Sequence, residues 1–369
     1  MGDLCLVINL GSSSLKAALV DSTGAFLWHE RRSLCEDDVL EEVLDSWLTP
    51  AIAPHQQRLG RIGHRVVHGG ERFTAPTLIT PEVERRLEDL IPLAPLHNPP
   101  ALKGLAWARQ RAPECPQWAC FDTAFHSSLQ AAASTNAIPQ ALRAKGFRRF
   151  GFHGINHQHV AESVAEQWRQ QGRDPAQLRL ISAHLGARAS LAAIKGGICI
   201  DTTMGFTPLV GLVMATRSGS IDPGLLLELM REGYSADAMA EILQQESGLK
   251  GLSGLSGNMR EIRAAAEDGH NGAIRALEVF RHRLIQMLGA MAASLRGVDV
   301  LALTGGIGEH DRQLQKELQQ ALHWWGSFEM TVVPAEEEGM IARLCWRQIS
   351  PDQSSDAPLD QLRSGRSGV

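Results

Sequence analysis

Three glycine-bearing stretches of this chain have the residue types to hold a phosphate. "HLGARASL", His184 to Leu191, has the length and flanks of a loop between two strands. Such loops lay backbone N–H groups against phosphate. Arg188 stands in its middle, beside Gly186 and Ala187, where a glycine is usually wanted, so it either binds the phosphate or blocks its place. "NLGSSSLK", Asn9 to Lys16, joins a turn-forming Gly11 to the hydroxyls of Ser12, Ser13 and Ser14 and the Lys16 cation. That set suits a phosphate or a Mg-phosphate, and reads equally as a serine-rich hairpin turn. It is not a P-loop, because it lacks the G-K-[ST] ending and leads into a strand. "TGGIGEHD" sets Gly305, Gly306 and Gly308 between a buried strand and a helix. Glycines there let an anion approach a helix N-terminus, although the match to G-x-G-x-x-G fails and a glycine turn at this place is common.

A second group of segments sets charged or imidazole side chains beside Gly, Pro or aromatic residues. These are "GHRVVHGGE", "APLHNPP", "FDTAFH" and "GFHGINH", and they carry Arg65, His97, Asp122 and His153. His153 and His157 stand four apart, a spacing known from metal pairs, but no Cys or carboxylate completes a ligand set. Core or surface histidines are the plain alternative. "ATRSGSIDP" supplies Arg217 and Asp222 with a glycine turn. "VPAEEEGM" supplies adjacent carboxylates, read either as functional or as a solvated acidic run.

Elements must position these groups. "LCLVINLGSSSLKAALVDSTGAFLWH" reads as strand, tight loop, strand, turn, strand, and so does "LRLISAHLGARASLAAIKGGICID" from Leu178. The shared Leu-Gly start and Ala-Ala pair mark an internal duplication, and two related halves imply two domains facing one another across a cleft. Between the hairpins lie helical patterns. "TPEVERRLEDLIPLAP" opens with a Thr cap and a Pro at the first helical position. "HVAESVAEQWRQQG" ends in Gly. "DPGLLLELMREG", "SADAMAEILQQESG", "REIRAAAEDGHNGAIRALEVFRHRLIQMLGAMAASLRG" and "DRQLQKELQQALHWWG" follow, with a late strand in "VDVLAL". The polar tail after Ser350 reads as mobile.

At 369 residues the chain has room for two domains, and 44% hydrophobic with 21% charged residues is ordinary for a soluble globular protein. A net charge of −5 argues against bulk attraction to nucleic acid or anionic membrane. "MGDLCLVINL" enters a strand-like run with no basic start, so no secretory signal is expected. "LIQMLGAMAASL" is too short and too rich in Gly and Ala for a membrane span, and reads as an interior or dimer-interface helix. None of the six cysteines forms a C-x-x-C pair, which fits a reduced cytoplasmic chain with buried thiols.

Taken in order, "VINLGSSSLK", "GHRVVHGGE", "APLHNP", "FDTAFH", "RRFGFHGINH", "DTTMGFTPLVGL", "TRSGSIDP", "GLSGLSGNMRE", "TGGIGE" and "VVPAEEEGMIAR" span nearly the whole chain and resemble the acetate kinase and propionate kinase family, within the acetate and sugar kinase/Hsp70/actin superfamily. The resemblance implies an α/β fold of two actin-like (ribonuclease H-like) domains with a duplicated βββαβαβα core and an interdomain active-site cleft. Residues 1–124 with 338–369 would form the N-terminal domain, and 125–337 the nucleotide-binding and dimerisation domain. It implies reversible, in-line phosphorylation of a short carboxylate by ATP, giving an acyl phosphate and ADP. Mg²⁺ (or Mn²⁺) would be the cofactor, ATP/ADP the co-substrate, and a cytoplasmic homodimer the assembly, with no nucleic acid or membrane partner.

Carried over by motif, the catalytic residues are Arg65, Asp122, His153 and Arg217. Arg65, Val67, Leu96, His97, Phe152 and Pro208 match the acyl-substrate site. Ser12, Ser14, Lys16, His184, Gly186, Ala187, Arg188, Asn258, Met259, Arg260, Gly305, Gly306, Gly308 and His310 match the nucleotide site. Asn9 and Glu337 match the metal site, with Glu338 adjacent.

The chain also departs from the family. The second phosphate loop usually reads H-L-G-N-G-A-S, so Ala187 and Arg188 replace Asn and Gly. Arg188 would be strained wherever that position requires φ > 0. Asn258 replaces an Asp, His310 an Asn, and Val210 and Ser220 acidic residues. The carboxylate side is intact and the donor side has drifted. Three readings follow: a working ATP-dependent kinase in which Arg188 contacts phosphate, a transferase with another phosphoryl donor, and a weakened or non-catalytic homologue.

Overall fold

A computed structural model describes residues 2–11, 14–35 and 38–348. Ser12 and the polar tail therefore lie outside the described residues. Among the described residues eleven strands form two sheets. The first holds β1 (Leu4–Leu10), β2 (Ser14–Asp21), β3 (Phe26–Ser33), β4 (Leu59–Val66), β5 (Thr77–Leu78) and β6 (Gln117–Phe121) in the order β3-β2-β1-β4-β6-β5. The second holds β7 (Arg179–Leu185), β8 (Ala189–Lys195), β9 (Ile198–Thr202), β10 (Val300–Thr304) and β11 (Glu329–Val332) in the order β11-β10-β7-β8-β9.

Both sheets follow one plan. Three antiparallel strands come first, and parallel strands are then added beside the opening one, β4 on β1 and β10 on β7. The two Leu-Gly hairpins occupy corresponding places. In register, Asn9 faces Lys16 in the first sheet and His184 faces Ser190 in the second. The duplication read from the sequence is thus a duplication of topology.

Strand alternation sorts the second sheet. Ile181, Ala183 and Leu185 pack with Phe280, Leu284, Leu288 and Met291 of the long helix Asn271–Leu295. Leu180, Ala192 and Ile194 face the helix Gly154–Gln170 through Val160, Val164 and Trp168. Ser182, His184 and Ser190 share that second face by the same period. Ile155 of the same helix also joins the core of the first sheet, with Cys5, Val7, Val20 and Met340. This helix therefore ties the two sheets together.

The capping signals hold. Thr80 accepts from Val83 N ahead of Pro81–Glu88, and Asp222 from Gly224 N ahead of Pro223–Arg231. The long pattern from Arg260 divides into two helices, Met259–Glu267 and Asn271–Leu295, because Gly269 takes φ +86° and His270 caps the second. "SADAMAEILQQESG" is helical over Ala236–Glu241 and then widens into a π turn over Ile242–Glu246. Among the described residues no helix is long and apolar enough to cross a membrane. All six cysteines are free, with Cys5, Cys120, Cys199 and Cys345 buried and Cys35 exposed.

Candidate active site

The carboxyl ends of the parallel strands bring the chemistry together, as expected for an α/β sheet. Arg65 closes β4, Asp122 follows β6, and Asn9 lies near the end of β1. Asp122 takes Arg65 in a fork: Nε donates to Oδ1 at 3.1 Å and Nη2 to Oδ2 at 2.5 Å. Arg65 Nη1 also donates to Asn9 Oδ1 at 3.2 Å. The Asn9 amide passes the contact on, to Glu337 at 3.1 Å and Glu338 at 2.5 Å. Lys16 Nζ reaches Glu337 at 3.3 Å.

Glu337 and Glu338 are 8% and 4% exposed, so the solvated-run reading of "AEEEG" is overturned. They open the helix Glu337–Trp346, whose N-terminal dipole favours negative charge. Burial disfavours the charged form of Glu337, but Arg65 and Lys16 outweigh it and hold its carboxyl well below the usual range. Burial pushes Asp122 upward and the Arg65 guanidinium pulls it back.

No group of three or more metal-ligating side chains exists among the described residues. The donor set is two adjacent carboxylates and an amide. That fits Mg²⁺, which keeps its waters and binds through one or two carboxylates plus phosphate oxygens. It does not fit an all-protein cage. The His153–His157 metal pair is absent, because both rings bond to serine hydroxyls.

His153 precedes the helix Gly154–Gln170 in a left-handed conformation, φ 57°. Only it and Arg296 among the described non-glycine residues take positive φ. Such strain costs about 1–3 kcal/mol and persists only where surroundings impose it. His153 Nδ1 bonds Ser190 Oγ at 2.8 Å, and its ring lies 4.4 Å from that of His184, tilted by 30°. Burial, with His184, His157, Arg65 and Arg188 nearby, drives its pKa far down. The ring is neutral.

Arg217 is buried, and its Nη1 donates to Pro208 O at 3.2 Å. Val67 and Phe152 are buried in one apolar cluster. His97 precedes the helix Asn98–Arg111. Burial and the charges of Arg188, Arg217 and Arg65 push its pKa down to about 3. Its Nε2 has no partner among the described residues, leaving a buried polar atom for a ligand. Leu96, by contrast, is 49% exposed.

On the donor side Gly186 N bonds Arg188 O at 3.0 Å, closing the turn, and Ala187 O accepts from Ala215 N. Arg188 is not at positive φ, so the strain its side chain would suffer there does not arise. Burial and the guanidiniums of Arg217 and Arg65 lower its pKa to about 10, with Asp122 and Glu337 opposing. Its charge therefore lies near those four side chains. A Cβ on Gly186 would stand 3.8 Å from Gly306 N, so the two glycine loops abut. Gly305, φ +79°, has no room for a side chain, because Leu185 O would lie 2.8 Å from its Cβ. Asn258 caps the helix Met259–Glu267 through Arg260 N at 3.0 Å. The Met259 side chain is buried in the core, while Arg260, Gly306 and His310 are exposed and Gly308 is buried.

Of the sequence-derived acceptor-side and metal-side residues, Arg65, Asp122, Asn9 and Glu337 form one hydrogen-bonded group, while Arg217 bonds Pro208 and His153 bonds Ser190 apart from it. The donor-side residues fall into a loop pair at 186–188 and 305–308 and a separate helix start at 258–260. Sequence reasoning left Asn156, Ser182 and Ser190 unassigned. Asn156 Nδ2 bonds His184 Nδ1 at 2.9 Å. The i, i+3, i+4 spacing of His153, Asn156 and His157 was the available signal.

The sequence model of the acetokinase family matches residues 29–331. The acetate kinase of Synechococcus sp. (strain JA-2-3B'a(2-13)) is 53% identical over 260 residues, which are 70% of this chain and 64% of that protein's length. The acetate kinase of Acaryochloris marina is 40% identical over 398 residues, covering 93% of this chain and 99% of its own. Among solved structures, a propionate kinase from Francisella tularensis superposes with a TM-score of 0.85 at 33% identity, covering 93% of this chain and 99% of that one. Porphyromonas gingivalis acetate kinase gives 0.81 at 33% identity, covering 92% and 98%.

Proposed function

The chain belongs to the acetokinase family, and from that premise we propose that it transfers the terminal phosphoryl group of ATP directly to acetate, with propionate as a second acceptor. The products are an acyl phosphate and ADP, and the reaction is reversible. In-line phosphoryl transfer asks for positioning and charge stabilisation more than for covalent help. Both reactants are anions, and guanidiniums hold such a pair by planar, charge-assisted hydrogen bonds.

The roles follow from the contacts. Asp122 orients Arg65, because a carboxylate acceptor is already ionised at pH 7 and needs no strong base. Arg65 and Arg217 hold the acceptor carboxylate and the transferring group. His153 donates from its free ring nitrogen to an oxygen of that group. Val67, Phe152 and Pro208 shape the tail site, where one methylene is worth only ~1–3 kcal/mol of discrimination. Glu337 and Asn9, with Glu338, orient Mg²⁺, which neutralises charge on the phosphates. Ser12, Ser14, Lys16, the loops at Gly186 and Gly305, and the 258–260 helix start serve the nucleotide. Arg188 contacts phosphate from the hairpin tip.

The observation that carries the reading is the unbroken line Asp122–Arg65–Asn9–Glu337, which couples the acceptor cation to the metal carboxylates. The half-buried, unstrained placement of Arg188 beside Arg65 and Arg217 favours the working kinase over the other two readings. Residues 1–124 with 338–369 as one domain and 125–337 as the other belong to the same proposal. It is supported by the contact of the helix Glu337–Trp346 with β1, β2 and β4. Homodimerisation is supported by the helix Pro223–Arg231, on which Leu225, Leu227 and Met230 are 50%, 55% and 56% exposed.

The test is hydroxamate trapping of acyl phosphate with acetate or propionate, Mg²⁺ and ATP, on the wild type and on Ala187→Asn/Arg188→Gly. Turnover by the wild type with no gain in the double variant is expected. A silent wild type that the double variant awakens would show that Arg188 blocks the donor site.

A further inference from the structure

Behind His153 the second sheet carries a line of hydrogen bonds that the transfer reaction, as described so far, leaves without a role. Ser182 Oγ lies 2.8 Å from His157 Nδ1. His157 Nε2 lies 2.9 Å from Ser190 Oγ. Ser190 Oγ lies 2.8 Å from His153 Nδ1. The two serines come from adjacent strands and share one sheet face. The two histidines stand four apart, one above the other at the start of the helix Gly154–Gln170. All four residues are buried.

Burial keeps both imidazoles neutral, helped at His153 by the Arg65 and Arg188 guanidiniums, so each ring has one N–H and one lone pair. Ser190 has a single hydroxyl proton and lies between two ring nitrogens. Its oxygen could accept from both rings, but its buried proton would then have no side-chain acceptor among the described residues. Two states leave no proton of the line unbonded. In the first, Ser182 donates to His157 Nδ1, His157 Nε2–H donates to Ser190, and Ser190 donates to His153 Nδ1. His153 then carries its proton on Nε2. In the second all three bonds run the other way, and Nε2 presents a lone pair. A lone pair repels a phosphoryl oxygen, whereas an N–H stabilises it.

We propose that Ser182, His157 and Ser190 are positioning residues that hold His153 as its Nε2–H tautomer, ready to donate to the transferring phosphoryl group. An anion in the cleft selects this state, and the hydrogen-bonded line makes the choice collective: Nε2 loses its proton only if all three bonds reverse or the Ser190 proton is left unbonded. The His184 ring against His153 and the left-handed backbone at His153 fix the plane in which the donor points. The inference rests on the kinase reading.

The test has two arms on the full chain. Selective ¹⁵N-histidine NMR on a complex with Mg²⁺, ADP, aluminium fluoride and acetate reads the tautomers directly. His153 and His157 are both expected as Nε2–H in the wild type, and His153 as a mixture in Ser190→Ala. Steady-state kinetics is the second arm. Ser190→Ala is expected to lower kcat by roughly 10²-fold, the scale of losing one oriented donor, with KM for ATP and acetate within a few-fold. Ser190→Thr, which keeps the hydroxyl, recovers most of that loss, and Ser182→Ala, two bonds away, costs roughly tenfold or less. An Nδ1–H tautomer of His153 in the wild-type complex overturns the proposal, as does a kcat for Ser190→Ala within about threefold of wild type. A wild type that forms no acyl phosphate overturns the kinase reading instead, and the NMR arm still decides the tautomer.

Discussion

In the first hairpin the residue before the Leu-Gly turn is Asn9, set opposite Lys16; in the second, the same place holds His184, set opposite Ser190. The backbones correspond, down to a glycine N–H that bonds back across each turn, Gly11 to Ser14 O and Gly186 to Arg188 O. The electrostatics differ. The first tip faces Glu337 and Glu338, and every charge there has an opposite partner within a few ångströms. The second tip brings Arg188 toward Arg65 and Arg217, so like charges gather. Asp122 and Glu337 oppose that gathering. One duplicated frame thus carries two electrostatically different tips, according to what the rest of the chain places before each.

The sharpest way to break this contrast is to delete one cation from each side. Arg65→Ala is expected to lower kcat/KM by roughly 10³-fold or more, as loss of a transfer-site arginine does. It is also expected to cost about 3–5 kcal/mol of stability, because Asp122 is left buried without its partner. Hydroxamate kinetics and urea unfolding measure the two effects. Arg188→Ala should slow the reaction by roughly 10- to 10²-fold yet cost less stability than Arg65→Ala, since Asp122 and Glu337 keep their Arg65 and Lys16 partners. Added phosphate should then raise the wild-type Tm more than that of the variant. Equal loss of stability in both variants would erase the distinction between the two tips.

Away from the tips the halves should behave alike. His64, His68 and His126 are all held neutral by burial, with pKa values of about 4. Their folded values lie below the ordinary one near 6.5, so the stability they confer is complete above pH 6.5. It is lost as pH falls toward 4, while the unfolded chain takes up about three more protons. Urea midpoints between pH 7 and 4 check this, and a flat profile would show that the imidazoles charge within the fold. Asn258→Ala, at the helix start on the donor side, is expected to cost about 1 kcal/mol through its lost cap, with a few-fold rise in the KM for ATP.

The duplication and the hairpins were legible because Leu-Gly turns between apolar runs leave a local pattern. Arg65, Asp122 and Asn9 were legible only through motif resemblance, since nothing local says that β1, β4 and β6 end side by side. The "AEEEG" segment misled for a related reason. Adjacent carboxylates normally seek water, and their burial depends on Lys16, Asn9 and Arg65, which are remote in sequence. Arg188 was readable as a departure, but not its freedom from strain, which depends on a backbone angle. Leu96 matches by motif, and its side chain stands half in solvent, an exposure the motif does not carry. Ser182 and Ser190 passed unremarked because isolated serines in strands carry no chemical signature until a helix lays histidines across them.

The contact between Asn9 and Glu337 spans 328 positions. On a ribosome, the first sheet is therefore made long before the helix that covers one of its faces and supplies its counter-charges. Until Glu337–Trp346 emerges, Cys5, Val7, Ala18 and Val20 lack part of their apolar cover, and Lys16 lacks its acidic partners. The nascent chain cannot assemble the Asn9–Glu337 network before residue 337 is made, and a chain stopped short of it would leave that apolar face bare.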